Sequence, residues 1–105
     1  MTKITYFEDG DEISVDITGH AGYAKKDMDI VCSAISMLAC TLLNYLSIDS
    51  DEFNYIQQEG HVWANAKGTN VPTAFHVIMT GYHLLEDNYP EHIEVARGCC
   101  MQRSP

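Results

Sequence analysis

The N-terminal segment alternates between apolar and polar side chains in two runs, KITYFE and ISVDITG. Such alternation is typical of strands that bury one face, and the DGDE that joins the runs is a turn sequence. In the second run Ile13, Val15 and Ile17 point to one face, and the polar residues between them point to the other. The pattern predicts a β-hairpin at the start of the chain.

A helical pattern follows, after a loop without a clear period. From Asp29 to about Ile48 the apolar positions recur at spacings of three and four, as in an α-helix. Asp29 is suited to cap this helix, because a short carboxylate accepts the unpaired N–H groups of the first turn. The helix is unusually apolar, so we expect most of it to be buried, with a second subunit as one candidate partner.

The second half of the chain repeats this order. DEFNYIQQEGHVWANAKG predicts a hairpin with its turn near Glu59 and Gly60. A second helix opens at Asn70, tolerates Pro72 in its first turn and ends before Pro90, and HIEVARG predicts a last strand. The order ββαββαβ predicts a single-domain α+β sandwich, a mostly antiparallel sheet with two helices packed on it.

The length, hydrophobic content and net charge of the chain limit the classes of protein to which it can belong. The chain has 105 residues, of which 46% are hydrophobic, and this suits one small domain. A net charge of -9 repels the phosphate backbone of nucleic acids, so we expect no direct nucleic-acid binding. The same charge should attract basic proteins. We find no signal-like start and no run of roughly 18 apolar residues, so we expect no membrane association and a cytoplasmic location.

The four cysteines are therefore expected to be reduced, and none of their spacings matches a zinc site. Only Cys32 would lie at a helix start, where free N–H groups favour a thiolate. Cys40 would lie among leucines in the middle of the helix, as an inert packed thiol. His20 follows the second strand and could reach Cys32 across a loop of about eight residues to act as its base.

Helical spacing places Asp29 and Ser36 on the face of Cys32. Asp29 could orient His20 as a third catalytic residue, or only cap the helix. Ser36 could donate to a substrate carbonyl, or bond back to the helix backbone. The spacing alone leaves three readings open: a catalytic pair, an acidic non-catalytic module that binds a basic protein, and a redox-sensing thiol. The remaining histidines receive no role: His61, His76, His83 and His92.

The stretch GHAGYAKKDMDIVCSAIS resembles the signature of the Prp family, the ribosomal-processing cysteine proteases of Firmicutes and related bacteria. That pattern is Gly-His-Ala, a short loop usually containing glycine, then Asp-Ile-Val-Cys, small residues and a serine. The family usually has glycine where this chain has Asp27; glycine permits a positive φ that aspartate adopts less freely. The matching positions are Gly19, His20, Ala21, Asp29, Ile30, Val31, Cys32 and Ser36.

The resemblance implies a cysteine endopeptidase with Cys32 as nucleophile, His20 as base, and Asp29 and Ser36 in support. Family members form homodimers and remove an N-terminal extension from the twenty-seventh protein of the large ribosomal subunit, cutting after a phenylalanine. No metal or organic cofactor is implied. Backbone N–H groups at the helix start, including that of Cys32, would hold the oxyanion. We place the protease-like domain at residues 1–98 and expect a frayed tail over residues 99–105.

Overall fold

The computed structural model describes residues 1–22, 24–25 and 29–104. Within them, the predicted order ββαββαβ and the α+β class are confirmed. The elements are β1 (Thr2–Asp9), β2 (Glu12–Thr18), α1 (Ile30–Ile48), β3 (Glu52–Gln58), β4 (His61–Lys67), α2 (Val71–Asn88) and β5 (Ile93–Arg97).

The five strands form one sheet in the order β3-β4-β2-β1-β5, so β2 is the central strand. Neighbouring strands are antiparallel except β1 and β5, which are parallel. Ile13 and Val15 of β2 lie opposite Ala66 and Ala64 of β4, and all four are fully buried. The small alanine side chains leave room for the helices to approach this face of the sheet.

The two helices pack together over that face of the sheet. Gly81 of α2 lies against Leu38 of α1, because a β-carbon at position 81 would come within 2.9 Å of the leucine side chain. The hydroxyl of Tyr82 donates to the Ile35 carbonyl at 3.0 Å. Burial raises the pKa of Tyr82, so this phenol remains a neutral donor. Helix α2 thereby holds α1 at a point one turn beyond Cys32.

The length and composition of α1 correct one expectation from the sequence. This helix of 19 residues is long and apolar enough to cross a membrane, whereas the sequence had led us to expect no such segment. A core helix passes the same test. In this fold one face of α1 is buried in the shared core, through Val31, Ile35, Ala39, Leu42, Leu43 and Leu46.

The C-terminal segment crosses the face of the sheet that the helices leave open. Gln102 donates its N–H to Ser14 Oγ at 3.2 Å, and its carbonyl accepts from Trp63 Nε1 at 3.2 Å. Ser14 and Trp63 alternate with the helix-facing residues of their strands, yet both are almost completely buried. A frayed tail was predicted over residues 99–105; at Gln102 the structure shows hydrogen bonds to partners far away in sequence.

A second contact of this tail is ionic. Arg103 donates to both carboxylate oxygens of Glu12, at 3.1 and 3.2 Å, and Asn65 donates to one of them at 3.1 Å. These bonds, first that of Arg103, lower the pKa of Glu12. The charged carboxylate therefore contributes stability at neutral pH that is lost as the pH falls through the lowered pKa. Because Arg103 is mostly exposed, the contribution is small.

We expect a chain that ends after Gly98 to lose about 2 kcal/mol of unfolding free energy, because Trp63 becomes exposed. Urea unfolding measures the loss. The fluorescence of Trp63, the single tryptophan, should shift to the red. The control is Arg103→Ala, which removes only the exposed ion pair and should change stability by less than about 0.5 kcal/mol. Unchanged emission and stability of the truncated chain would contradict the covering role of the tail.

Candidate active site

The residues selected from the sequence meet where β2 ends, where α1 begins and where β3 turns into β4. His20 and Cys32 both line two neighbouring cavities, of about 270 Å³ and about 230 Å³. The side chain of Cys32 is partly buried, and that of His20 is exposed. A reagent or substrate in either cavity would therefore reach both groups.

The start of α1 is fixed by Asp29, which is 4% exposed. Its Oδ1 accepts from the backbone N–H of Cys32 at 2.8 Å, so Cys32 is the third residue of the helix, as predicted. Within the described residues no hydrogen bond joins Asp29 to His20. Of the two roles considered for Asp29, the observed one is the helix cap.

The same bond involves one of the N–H groups that were predicted to hold an oxyanion. The backbone N–H of Cys32 already donates to Asp29, and that of Ser33 donates to the Asp29 carbonyl at 3.1 Å. An N–H that is already bonded within the protein does not stabilise a developing oxyanion in addition without weakening its first bond. The N–H groups of Cys32 and Ser33 are thus both engaged within the helix start, and the oxyanion role of Cys32 N–H stays a prediction.

The backbone on either side of His20 is tightly held. Gly19 has a φ of +90°, and its N–H donates to the Gly60 carbonyl at 3.0 Å. A β-carbon at position 19 would lie 2.5 Å from the Met1 carbonyl oxygen, so only glycine fits here. Ala21 is 2% exposed and anchors the other side. The imidazole thus projects from a fixed backbone toward the cavities.

The imidazole of His20 lies against the turn between β3 and β4. A β-carbon at position 60 would be 3.3 Å from His20 Nε2, and Gly60 itself has a φ of +75°. Among the residues that the structure describes, no hydrogen bond joins His20 to Cys32. The fold therefore brings the predicted pair to one place without joining it. The sequence marked Gly60 only as a turn residue and gave no sign of its contact with His20.

The larger cavity runs along α1, past residues spaced by four. Cys32, Ser36 and Cys40 all line it, as residues on one helix face should. Cys40 was predicted to be an inert packed thiol; instead it is partly exposed and accepts from Gln57 Nε2 at 3.4 Å. No hydrogen bond of the Ser36 hydroxyl appears among the described residues. The helical spacing could have placed Cys40 at this site.

The two cavities differ chemically. Glu59 lines both of them, but the larger one has apolar walls that include Ile17, Ile35 and Val62, whereas Asp29 lines only the smaller one. Over residues 1–22, 24–25 and 29–104, no group of three histidine, cysteine or acidic side chains could hold a metal. The predicted loop position Asp27 lies outside the described residues. The arrangement places a thiol and an imidazole beside an apolar wall and the side chains of Asp29 and Glu59.

Removing the cap should loosen the start of α1. We expect Asp29→Ala to lower the free energy of unfolding by about 1 kcal/mol, because the N–H of Cys32 loses its acceptor. In Asp29→Ser the hydroxyl can accept the same bond, so this variant should retain most of the stability. Urea titration followed by circular dichroism measures both. Equal destabilisation of the two variants would argue against the cap as the main role of Asp29.

Comparison with known proteins gives one family and several related folds. The sequence profile described as cysteine protease Prp matches residues 1–94. The essential ribosomal processing protease Prp from S. aureus, solved with a covalently linked product peptide, has a TM-score of 0.80 at 20% identity. That comparison covers 93% of this chain and 100% of the other. The same protease with a substrate peptide gives 0.73 at 16% identity, covering 93% and 100%.

A further solved structure, SMU.848 from Streptococcus mutans, has a TM-score of 0.69 at 27% identity and covers 92% of this chain and 93% of its own. No curated protein matches the sequence. The match to the family profile covers most of the chain and includes both His20 and Cys32. The chain therefore belongs to the Prp family of cysteine proteases.

Proposed function

We propose that this protease is an endopeptidase in which Cys32 is the nucleophile and His20 the general base. The observation that carries the proposal is that both side chains line the same two cavities, with Cys32 at the capped start of α1. A cysteine attacks a carbonyl once a base takes its proton, and an adjacent imidazole can do so. Catalytic hydrogen bonds are often absent before substrate binds, so the unjoined pair agrees with this role.

The reaction would run in two stages. His20 takes the proton of the Cys32 thiol, and the sulfur attacks the scissile carbonyl carbon. His20 then gives that proton to the leaving amine as the peptide C–N bond breaks, which leaves a thioester on Cys32. Water, activated by His20, hydrolyses the thioester and regenerates the thiol. The Ser36 hydroxyl faces the same cavity as Cys32 and could donate to the substrate carbonyl.

The substrate we propose is the precursor of the twenty-seventh protein of the large ribosomal subunit, cut after an aromatic residue of its N-terminal extension. Three observations support this choice. The apolar cavity beside Cys32 suits an aromatic side chain. The net charge of -9 attracts a basic ribosomal protein. The S. aureus protease of the same fold is a ribosomal processing protease. Such a precursor is made in the cytoplasm, where we propose that the enzyme acts.

We also propose that the chain forms a homodimer through the outer surface of its two helices. Four apolar side chains are largely exposed there, at Met37, Ile48, Val77 and Leu84. Val77 also lines a groove of about 350 Å³ between α1 and α2. An apolar surface of this kind on a small domain is typical of an interface. Family resemblance supports a second copy of the same chain as the partner.

Incubation with the ribosomal precursor tests the enzymatic proposal. We expect wild-type protein to shorten the precursor after an aromatic residue, as measured by mass spectrometry. Cys32→Ala and His20→Ala should each lower the rate at least roughly a thousandfold, because the nucleophile or its base is lost.

The matched control is Cys99→Ala, which removes an exposed thiol of the tail and should cleave at the wild-type rate. Cleavage by Cys32→Ala at the rate of this control would reject the assignment of the nucleophile. Failure of the wild type to shorten the precursor would reject the proposed substrate.

The oligomeric proposal is tested by light scattering. We expect the wild type to have twice the mass of one chain, and Met37→Glu or Val77→Glu to have the mass of one chain, because a charge would be buried in the interface. Ala96→Glu is the control, since this exposed residue lies on the other face of the sheet. A single-chain mass for the wild type would contradict the proposal.

A further inference from the structure

His92 lies in the turn between α2 and β5 and reaches the segment that carries His20. Its Nδ1 lies 3.0 Å from the carbonyl oxygen of Ala21. A carbonyl oxygen can only accept, so Nδ1 carries a proton and donates it. The backbone of His92 is itself held on both sides: its N–H donates to Tyr89 at 2.9 Å, and its carbonyl accepts from Thr2 at 3.0 Å. The donor therefore comes from a fixed position.

The hydrogen bond from His92 lies one residue after His20 in the chain. Ala21 directly follows His20 and precedes Gly22, which has a φ of +68°. Upstream, the N–H of Gly19 is bonded to the Gly60 carbonyl. Among the described residues, the bond to His92 is the last hydrogen bond that ties this segment to the rest of the fold before α1 begins. The peptide that carries the imidazole of His20 is thus fixed from both sides.

We propose that His92 is a positioning residue for the reaction, acting through the Ala21 carbonyl on the orientation of His20. This inference rests on the proposed function, because it gives His92 a catalytic effect only if His20 is the base. Without the bond, the peptide between His20 and Gly22 can rotate, and a displacement of about 1 Å at a catalytic group costs up to roughly a hundredfold in rate. His92 touches no reacting atom in this scheme.

The bond is tested first without any assay of activity. At alkaline pH, where imidazole is neutral, His92 should carry its single proton on Nδ1. Long-range proton–nitrogen correlation spectra distinguish this tautomer from the one protonated on Nε2. A neutral His92 protonated on Nε2 would overturn the inference, because such a ring cannot donate to Ala21.

Kinetics then separate positioning from a merely structural role. We expect His92→Leu to lower kcat for precursor cleavage by about tenfold or more while KM changes little, because His92 lines neither of the cavities at Cys32. His92→Asn should recover most of kcat, since the amide nitrogen of asparagine lies near the position of Nδ1. The matched control is His83→Leu, an exposed histidine on α2 that lines neither of the cavities at Cys32. It should cleave at the wild-type rate.

The outcomes are distinguishable. If His92→Leu does not fold, the comparison moves to His92→Asn and His92→Gln, because glutamine places its amide nitrogen farther out, near the position of Nε2. Asparagine should then be the more active of the two. Equal kcat in the folded variants would overturn the positioning role alone. Absence of cleavage by the wild type would overturn the proposed function, and with it the catalytic effect assigned to His92, whereas the tautomer measurement would still decide whether the bond exists.

Discussion

The alternation of side chains along β2 is the constraint on which the other elements depend. Ile13, Val15 and Ile17 point into the core between the sheet and both helices, and β2 pairs with a neighbour on each side. A shift of register by one residue would send Ser14 and Asp16 into that core and the isoleucines to the opposite face. The cost of such a shift fixes where β2 ends, and therefore the side of the sheet on which His20 emerges.

The site itself is assembled from weak contacts around that fixed strand end. The Asp29 cap sets the position of Cys32, the Gly19–Gly60 bond holds the start of the His20 segment, and His92 holds its end. Single bonds of this kind contribute about 1 kcal/mol each. Contacts of that size hold the two segments beside the same cavities without joining the side chains of His20 and Cys32.

The two faces of the sheet are covered by different elements. The helices cover one face of the sheet and present apolar side chains outward, including Met37 and Val77, where we propose a second copy. On the other face the C-terminal tail shields Trp63 and Ser14. The family profile ends at residue 94, so this tail lies beyond the part that the profile describes.

The sequence by itself determined the features that depend on neighbours in the chain. Alternation and helical spacing predicted the seven elements in order, and Asp29 was correctly identified as a cap because it lies three residues from the N–H it accepts. The spacing of four along α1 gave the shared face of Cys32 and Ser36. These interactions act over a single turn or strand, where residue type and position suffice.

Only the tertiary structure decided the contacts between distant parts of the chain. The parallel pairing of β1 with β5, the bond from Gln102 to Trp63 and the bond from His92 to Ala21 join segments that no local pattern connects. The same is true of the packing of His20 on Gly60. Each depends on how the sheet and helices pack as whole elements, and that packing is determined by the complete core and not by any single segment.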